Sequence, residues 1–370
     1  MKNFHCSCGN RLFFENTQCL QCGHEVGWCP VCESLGAIVQ EPSGGYRCGH
    51  SECGALLAKC HNYAVEGVCN RCIAHQGELP AAGALCDCCR FNDTIPDLTV
   101  EGNREKWGRL EAAKRRLLYS LDTLGLPYGN ADDGIEPPLS FAFKSDVVHP
   151  SRWWWSKGKK EMVYTGHANG QITINIREAD PVELEKSRVS MNEAHRTVIG
   201  HFRHEIGHYY WQMLVQDQRE DECKAVFGDH NSPPYAEAMD LYYKNGPAAG
   251  WQQNFVSAYA SMHPWEDFAE TFATYLDMVS VLDTAWNLGL GASLNPVSAE
   301  LDDMVERYQT LGVMFNELNR SMGLLDLVPE IIVPAVVEKM RFVQQLVRGA
   351  ARLSQPEVEA LANTGIADPA

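Results

Sequence analysis

The string GHFRHEIGHYYW, running from Gly200 to Trp211, reads as the middle of one amphipathic helix. Between 192 and 215 the apolar residues Ile199, Phe202, Ile206, Tyr209, Tyr210 and Met213 recur at helical spacing and form a single stripe. His204 and His208 lie off that stripe and, at about 100° per residue, only ~40° apart. Two imidazoles one turn apart can reach a single metal ion at ~2.0–2.1 Å, which is the chemistry of an H-E-x-x-H helix. Glu205 is offset from both, where a carboxylate serves as a base and not as a ligand. Two histidines alone describe a solvated helix face as well as a metal site, so the third ligand decides between the two.

A metzincin continuation would place Gly at 211 and His at 214, where this chain has Trp211 and Leu214, so a downstream acid is required. The segment HPWEDFAE, His263 to Glu270, supplies candidates. Pro264 suits a first helical position, and Phe268, Phe272, Tyr275 and Val279 form the inward face of the helix that follows. Glu266 and Glu270 share another face. One carboxylate can bind the metal while the other accepts the second ring N–H of a ligand histidine and fixes its tautomer. We read Glu266 as the ligand and Glu270 as its support. Acids at the positive end of a helix are common for reasons worth only ~0.3–1 kcal/mol. The upstream HEIGH string is what sets this pair apart.

Around these helices the pattern is mixed. Residues 104–124 carry Trp107, Leu110, Leu117, Leu118, Leu121 and Leu124 at near-helical spacing with basic residues between, which predicts an amphipathic helix. Residues 139–149 and 161–177 read as extended, with Asn169-Gly170 as a hairpin turn. The strand QITINI, ahead of the catalytic helix, is a candidate edge on which an extended peptide would pair. From 181 onward helix follows helix, punctuated by Gly246-Pro247, Gly289 to Gly291 and Asn295-Pro296. Trp153-Trp154-Trp155, between Pro150 and the basic run from Lys157 to Lys160, is expected to bury against the sheet.

Fourteen of the fifteen cysteines precede residue 90, the exception being Cys223, so a boundary falls near 92–104. Cys6-x-Cys8 and Cys19-x-x-Cys22, each followed by a glycine, form a zinc-ribbon pair of knuckles. Cys29, Cys32, Cys48 and Cys53 make a second four-sulfur set, with His50 as a possible substitute ligand. Of the remaining Cys60, Cys69, Cys72, Cys86, Cys88 and Cys89, spacing alone prefers Cys69, Cys72, Cys86 and Cys89. Complete four-thiolate shells leave no position for water, so these sites are structural.

Paired cysteines at such spacing, with no charged n-region and apolar run at the start, point to zinc binding in the cytoplasm. The longest apolar stretches fall short of the ~20 residues a membrane span needs. Net charge is −17, and the first hundred residues hold 6 basic against 10 acidic side chains, a balance that repels phosphate backbones and excludes nucleic acid as an expected partner.

Taken together, HEIGH plus E-x-x-x-E resembles the gluzincin metallopeptidases. The longer strings GHFRHEIGHYYW and SAYASMHPWEDFAETFATYL resemble a bacterial family of zinc-binding metallopeptidases, as do FHCSCGNRLFFENTQCLQCG, CHNYAVEGVCN and TGHANGQITINI. The likeness covers roughly residues 1–290. Pattern and resemblance together give an α+β chain: a zinc-ribbon domain over 1–95, a mainly helical zincin-like metallopeptidase domain with a small sheet over 104–323, and, from the helical pattern alone, a C-terminal helical extension over 324–370. The likeness implies His204, His208 and Glu266 as ligands of one catalytic zinc, the order of Glu266 over Glu270 included. Glu205 is then the general base, and Tyr259, seven residues before Glu266, resembles the tyrosine of lethal-factor-like gluzincins; Tyr209 and Tyr210 are its competitors. The resemblance also implies Cys60, Cys69, Cys86 and Cys89 as the last structural set, against the preference from spacing. The second cysteine set departs from the family pattern, so two or three structural zincs are expected. A peptide or protein substrate is expected, with a protein partner bound through the ribbons. Two other readings are compatible with the motif: an interaction module whose HEIGH site is structural or vestigial, and a non-peptide amidase or ester hydrolase.

Overall fold

A computed structural model describes residues 1–42, 44–148, 160–191, 197–290, 294–329 and 331–354. The chain is α+β, a cysteine-rich ribbon region followed by a mostly helical part with small sheets. The tryptophan run at 153–155 and the basic residues 157–159 lie outside the described residues.

The ribbon region opens with a short hairpin, β1 (Phe4–His5) and β2 (Arg11–Leu12). A five-stranded antiparallel meander follows: β3 (Val26–Cys29), β4 (Ser34–Gln40), β5 (Tyr46–Cys48), β6 (Leu56–Lys59) and β7 (Cys72–Ala74). A single helical turn, α1 (His61–Ala64), follows β6. Phe4, Phe14 and Trp28 pack edge-on or tilted about one another and about Tyr119, so the small ribbon core is completed by a residue of the next part.

The connection after the last cysteines is already part of the second sheet. β8 (Asn92–Thr94) pairs in parallel with β9 (Ser140–Lys144), and the sheet runs β12-β13-β9-β8, with β12 at Gly166–Ala168 and β13 at Gln171–Asn175. A separate two-stranded ribbon joins β10 (Val147–Val148) to β11 (Lys160–Glu161). Asn169 (φ 47°) and Gly170 (φ 81°) turn β12 into β13 as the Asn-Gly pair predicts. QITINI is not an edge, however. β13 is flanked on both sides, antiparallel by β12 and parallel by β9, and β12 takes the edge position.

The helices are α2 (Asn103–Leu124), α3 (Pro181–Met191), α4 (Val198–Leu214), α5 (Glu220–Phe227), α6 (Tyr235–Asn245), α7 (Pro264–Leu288), α8 (Leu301–Ser321) and α9 (Pro334–Ser354). The sequence predicts α2 as simply amphipathic, and the structure corrects this. Lys114 and Glu111 are both fully buried and paired at 2.9 Å, Glu111 also accepts from Trp107 Nε1 and Asn92 Nδ2, and Arg115 donates to Val68 O. Burial alone would lower the Lys114 pKa, but the Glu111 carboxylate and the neighbouring Cys88 and Cys89 together outweigh it and the shift is upward. α9 supplies Val336, Met340, Val343 and Leu346 to the same core that holds α4 and α7, and that core also includes Cys60, Cys69, Cys86 and Cys89. The third cysteine set thus joins the ribbon to the helical part. No described helix is long and apolar enough to cross a membrane.

Candidate metal centre

The Thr197 side chain accepts the Gly200 N–H at 3.0 Å and so starts α4, whose stripe of Phe202, Ile206, Tyr209 and Tyr210 is buried. Phe202 packs on Phe141 and Phe143 of β9, which anchors α4 to the sheet. The opposite side of α4 meets α7 so closely that a Cβ at Gly207 would stand 2.9 Å from Ala269 Cα. α7 begins at Pro264 under a His263 cap, whose Nδ1 accepts from Trp265 N at 3.1 Å. Glu266 therefore sits in the first turn of α7, facing the two histidines of α4.

Three ligand atoms converge there. His204 Nε2 and His208 Nε2 are 3.1 Å apart, and Glu266 Oε2 is 3.0 Å from the first and 3.4 Å from the second. Tetrahedral bonds of ~2.0–2.1 Å give ligand–ligand edges of about 3.3–3.4 Å, so the triangle has the size that zinc requires. Its electrostatics ask for a cation as well. Burial would lower the His204 pKa, yet Glu266 and Glu270 raise it well above the ordinary value. Burial would raise Glu266, yet His208 and His204 hold it well below. Each shift says that a positive charge among these groups is stabilised.

The supporting contacts are in place. Glu270 Oε1 lies 2.6 Å from His204 Nδ1, leaving Nε2 for a metal, and Ser257 donates to the other Glu270 oxygen at 2.6 Å. The Trp265 ring lies on the His208 ring at 3.9 Å between centroids. Glu205 is buried with no hydrogen-bond partner for Oε2 among the described residues, and burial raises its pKa against the pull of His204 and His208. Tyr259 lies in a short 3-10 turn, Tyr259–Met262, just ahead of α7, its ring 6.0 Å from that of His204. Tyr209 and Tyr210 are buried in the core and donate to Pro137 O and Pro127 O, so their hydroxyls are engaged elsewhere.

Sequence reasoning missed Tyr235, whose hydroxyl donates to Glu266 Oε1 at 2.7 Å. It also missed Ser257, Trp265 and the close approach at Gly207. Ser257 and Trp265 stand inside strings singled out by resemblance, whereas nothing in the spacing of Tyr235 marks it.

The cysteines form three separate groups, Cys6, Cys8, Cys19, Cys22; Cys29, Cys32, Cys48, Cys53; and Cys60, Cys69, Cys86, Cys89, each with all sulfurs within 4.8 Å of one another. Sulfur pairs at 3.6–3.8 Å match the ~3.8 Å edge of a four-thiolate zinc tetrahedron with ~2.3 Å bonds. His50 stays out of the second group, its ring lying against Gly36. The preference from spacing for Cys72 is corrected. Its backbone pairs with Lys59 in the β6–β7 ladder and its sulfur packs against Gly27, while Cys60, just beyond the ladder, accepts the Cys86 N–H at 3.3 Å. Cys88 is buried outside all three groups.

The comparisons agree with this organisation. A zinc-ribbon domain family matches residues 3–100, and the family described as "putative zinc-binding metallo-peptidase" matches residues 103–346. Uncharacterized proteins of Mycobacterium bovis and Mycobacterium tuberculosis are each 37% identical over 372 aligned residues, spanning 96% of this chain and 98% of theirs. No solved structure matches. The likeness extends through the ribbons, the sheet and α4 to α9, and the chain belongs to the zinc-binding metallo-peptidase family that the matched residues define.

Proposed function

We propose that the chain is a zinc-dependent hydrolase of peptide bonds, with His204, His208 and Glu266 holding the catalytic ion and Glu205 acting as general base. The observation that carries the reading is the convergence of two imidazole nitrogens and one carboxylate oxygen beside the buried Glu205, whose Oε2 has no hydrogen-bond partner among the described residues. A zinc ion held by three protein ligands lowers the pKa of a water toward ~7 and polarises a carbonyl.

The remaining work falls to the chain itself. Glu205 takes the proton of the attacking water and returns it to the departing amine nitrogen, and its burial brings its basicity closer to neutral pH, where such a base is most effective. Glu270 holds the His204 ring through Nδ1. Tyr259 donates to the oxyanion that forms on the former carbonyl oxygen. β12, the edge strand of this sheet among the described residues, is where an extended peptide would pair, the role that the sequence reading gives to QITINI.

The three cysteine groups hold one structural zinc each, for four zincs per chain, and their thiols fit a reducing cytoplasm. A protein-facing role for the ribbons is supported by the exposed Phe13 (68%) and Leu20 (90%) at the first of them.

The test is Glu205→Gln, assayed on a quenched-fluorescent peptide library with metal content measured in parallel. The amide cannot accept a proton, so hydrolysis is lost while all four zincs stay. Undiminished turnover would remove Glu205 from the mechanism.

A further inference from the structure

We infer that Tyr235 is a positioning residue of the metal centre, holding one oxygen of Glu266 so that the other alone is presented to His204 and His208. The inference rests on the reading of this centre as a zinc site. Glu266 is only 2% exposed, and its two oxygens have different company. Oε1 accepts the Tyr235 hydroxyl at 2.7 Å, and Oε2 faces the two Nε2 atoms at 3.0 and 3.4 Å. A carboxylate with both oxygens free can chelate one ion through both. That fills the position which a hydrolytic centre keeps for water. A phenol O–H given to an ionised carboxylate is a charge-assisted bond, roughly twice as strong as a neutral one, and it ties Oε1 to another partner.

The Tyr235 ring is itself fixed by the turn that carries Glu266. It stands edge-on to His263 at 5.2 Å and to Trp265 at 5.5 Å, and Trp265 lies on the ring of His208. Tyr235 opens α6, most of whose other residues are exposed or half-buried, and its hydroxyl reaches Glu266 while Tyr242 of the same helix packs edge-on against Tyr259 at 5.9 Å. An ionised Glu266 can only accept, so Tyr235 gives it its single proton. Glu266 thus has a polar neighbour of its own on the oxygen turned away from the histidines, as His204 has in Glu270.

The experiment uses the full chain with its ribbon zincs in place and the His204–His208–Glu266 centre loaded with Co²⁺, whose visible absorption is strong in four-coordinate and weak in five- or six-coordinate sites. Tyr235→Phe keeps the ring and removes the hydroxyl. The expected result is a loss of about 10–100-fold in metal affinity at this centre, the range of an outer-shell partner, with a shift of the cobalt bands to the weaker, higher-coordinate form as the second Glu266 oxygen joins. Tyr259→Phe, which leaves the Tyr235–Glu266 bond intact, should keep the wild-type cobalt spectrum. Wild-type affinity and spectrum in Tyr235→Phe would overturn the inference while leaving the site standing. The same shift in both variants would also overturn it, by assigning the effect to general packing. A wild-type chain that takes up no cobalt beyond its cysteine groups would sink the site reading and the inference together.

Discussion

Gly207→Ala tests the close contact of α4 and α7 on which the metal centre depends. The added Cβ would lie 2.9 Å from Ala269 Cα, 3.0 Å from Ala269 O and 3.3 Å from Phe272 Cβ. Carbon atoms sit comfortably at about 3.5–4.0 Å, so α7 has to retreat by roughly 0.6–1 Å. Two of the three obstacles are backbone atoms, which cannot rotate out of the way. Two energies oppose each other. Alanine in a helix interior gains about 0.8–1 kcal/mol over glycine, whereas overpacking of this kind costs about 1–3 kcal/mol. The net expectation is a loss of up to ~2 kcal/mol. The consequence for the metal is larger than for the fold. Gly207 adjoins His208, and Ala269 is less than one turn from Glu266, so the retreat adds directly to the 3.0 and 3.4 Å separations of Glu266 Oε2 from the histidines. Edges of about 3.6 Å or more exceed the ~3.3–3.4 Å of a zinc tetrahedron, and an affinity loss of at least tenfold follows, equivalent to about 1.4 kcal/mol. The assay pairs thermal unfolding with competitive zinc titration. Gly349→Ala is the control, since its Cβ meets nothing within 4 Å and it should stabilise by about the propensity gain alone. If Gly207→Ala were as stable as the Gly349 variant and bound zinc with unchanged affinity, the packing described for α4 and α7 would be wrong.

Glu266→Ala should abolish zinc binding at the His204–His208–Glu266 centre and spare the cysteine groups, whereas Glu270→Ala should weaken the centre by about 10–100-fold; zinc titration with ribbon zinc counted separately would reverse the assignment if the two outcomes were exchanged. Lys114→Met leaves the fully buried Glu111 without its charge partner and should cost about 3–5 kcal/mol in urea unfolding, and a loss below ~1 kcal/mol would mean that the pair is not buried as described. His167 has its pKa lowered to about 4, first by burial and then by neighbouring His208. The unfolded chain therefore binds the extra proton between about pH 6.5 and 4, so stability should decline as pH falls through that window, by at most about 3 kcal/mol. His167→Gln should flatten this part of the profile, and an unchanged pH dependence of the melting temperature would refute the assignment.

The sequence alone determined the elements whose information is local. The 3.6-residue stripe of α4, the one-turn spacing of His204 and His208, Pro264 at the start of α7 and the Asn169-Gly170 turn each follow from the conformations of a few neighbouring residues. So did the first two cysteine groups, whose knuckles lie close in the chain. Only the tertiary structure decided what depends on distant segments meeting. Cys60 joins the third group and Cys72 does not, because the β6–β7 register packs Cys72 against Gly27, a position that cysteine counting cannot supply. Lys114 is buried, not solvated, because Glu111 and Asn92 meet it from the helix and from β8. β12 and not β13 is the edge because β9 comes to lie alongside β13 in parallel. Glu266 over Glu270 was an order borrowed from resemblance, and within the fold the two differ in what they face: Glu266 meets the Nε2 atoms while Glu270 reaches round to Nδ1 of His204. One helical turn separates these two acids in sequence, so only the packing of α7 on α4 at Gly207 gives each a different atom to meet.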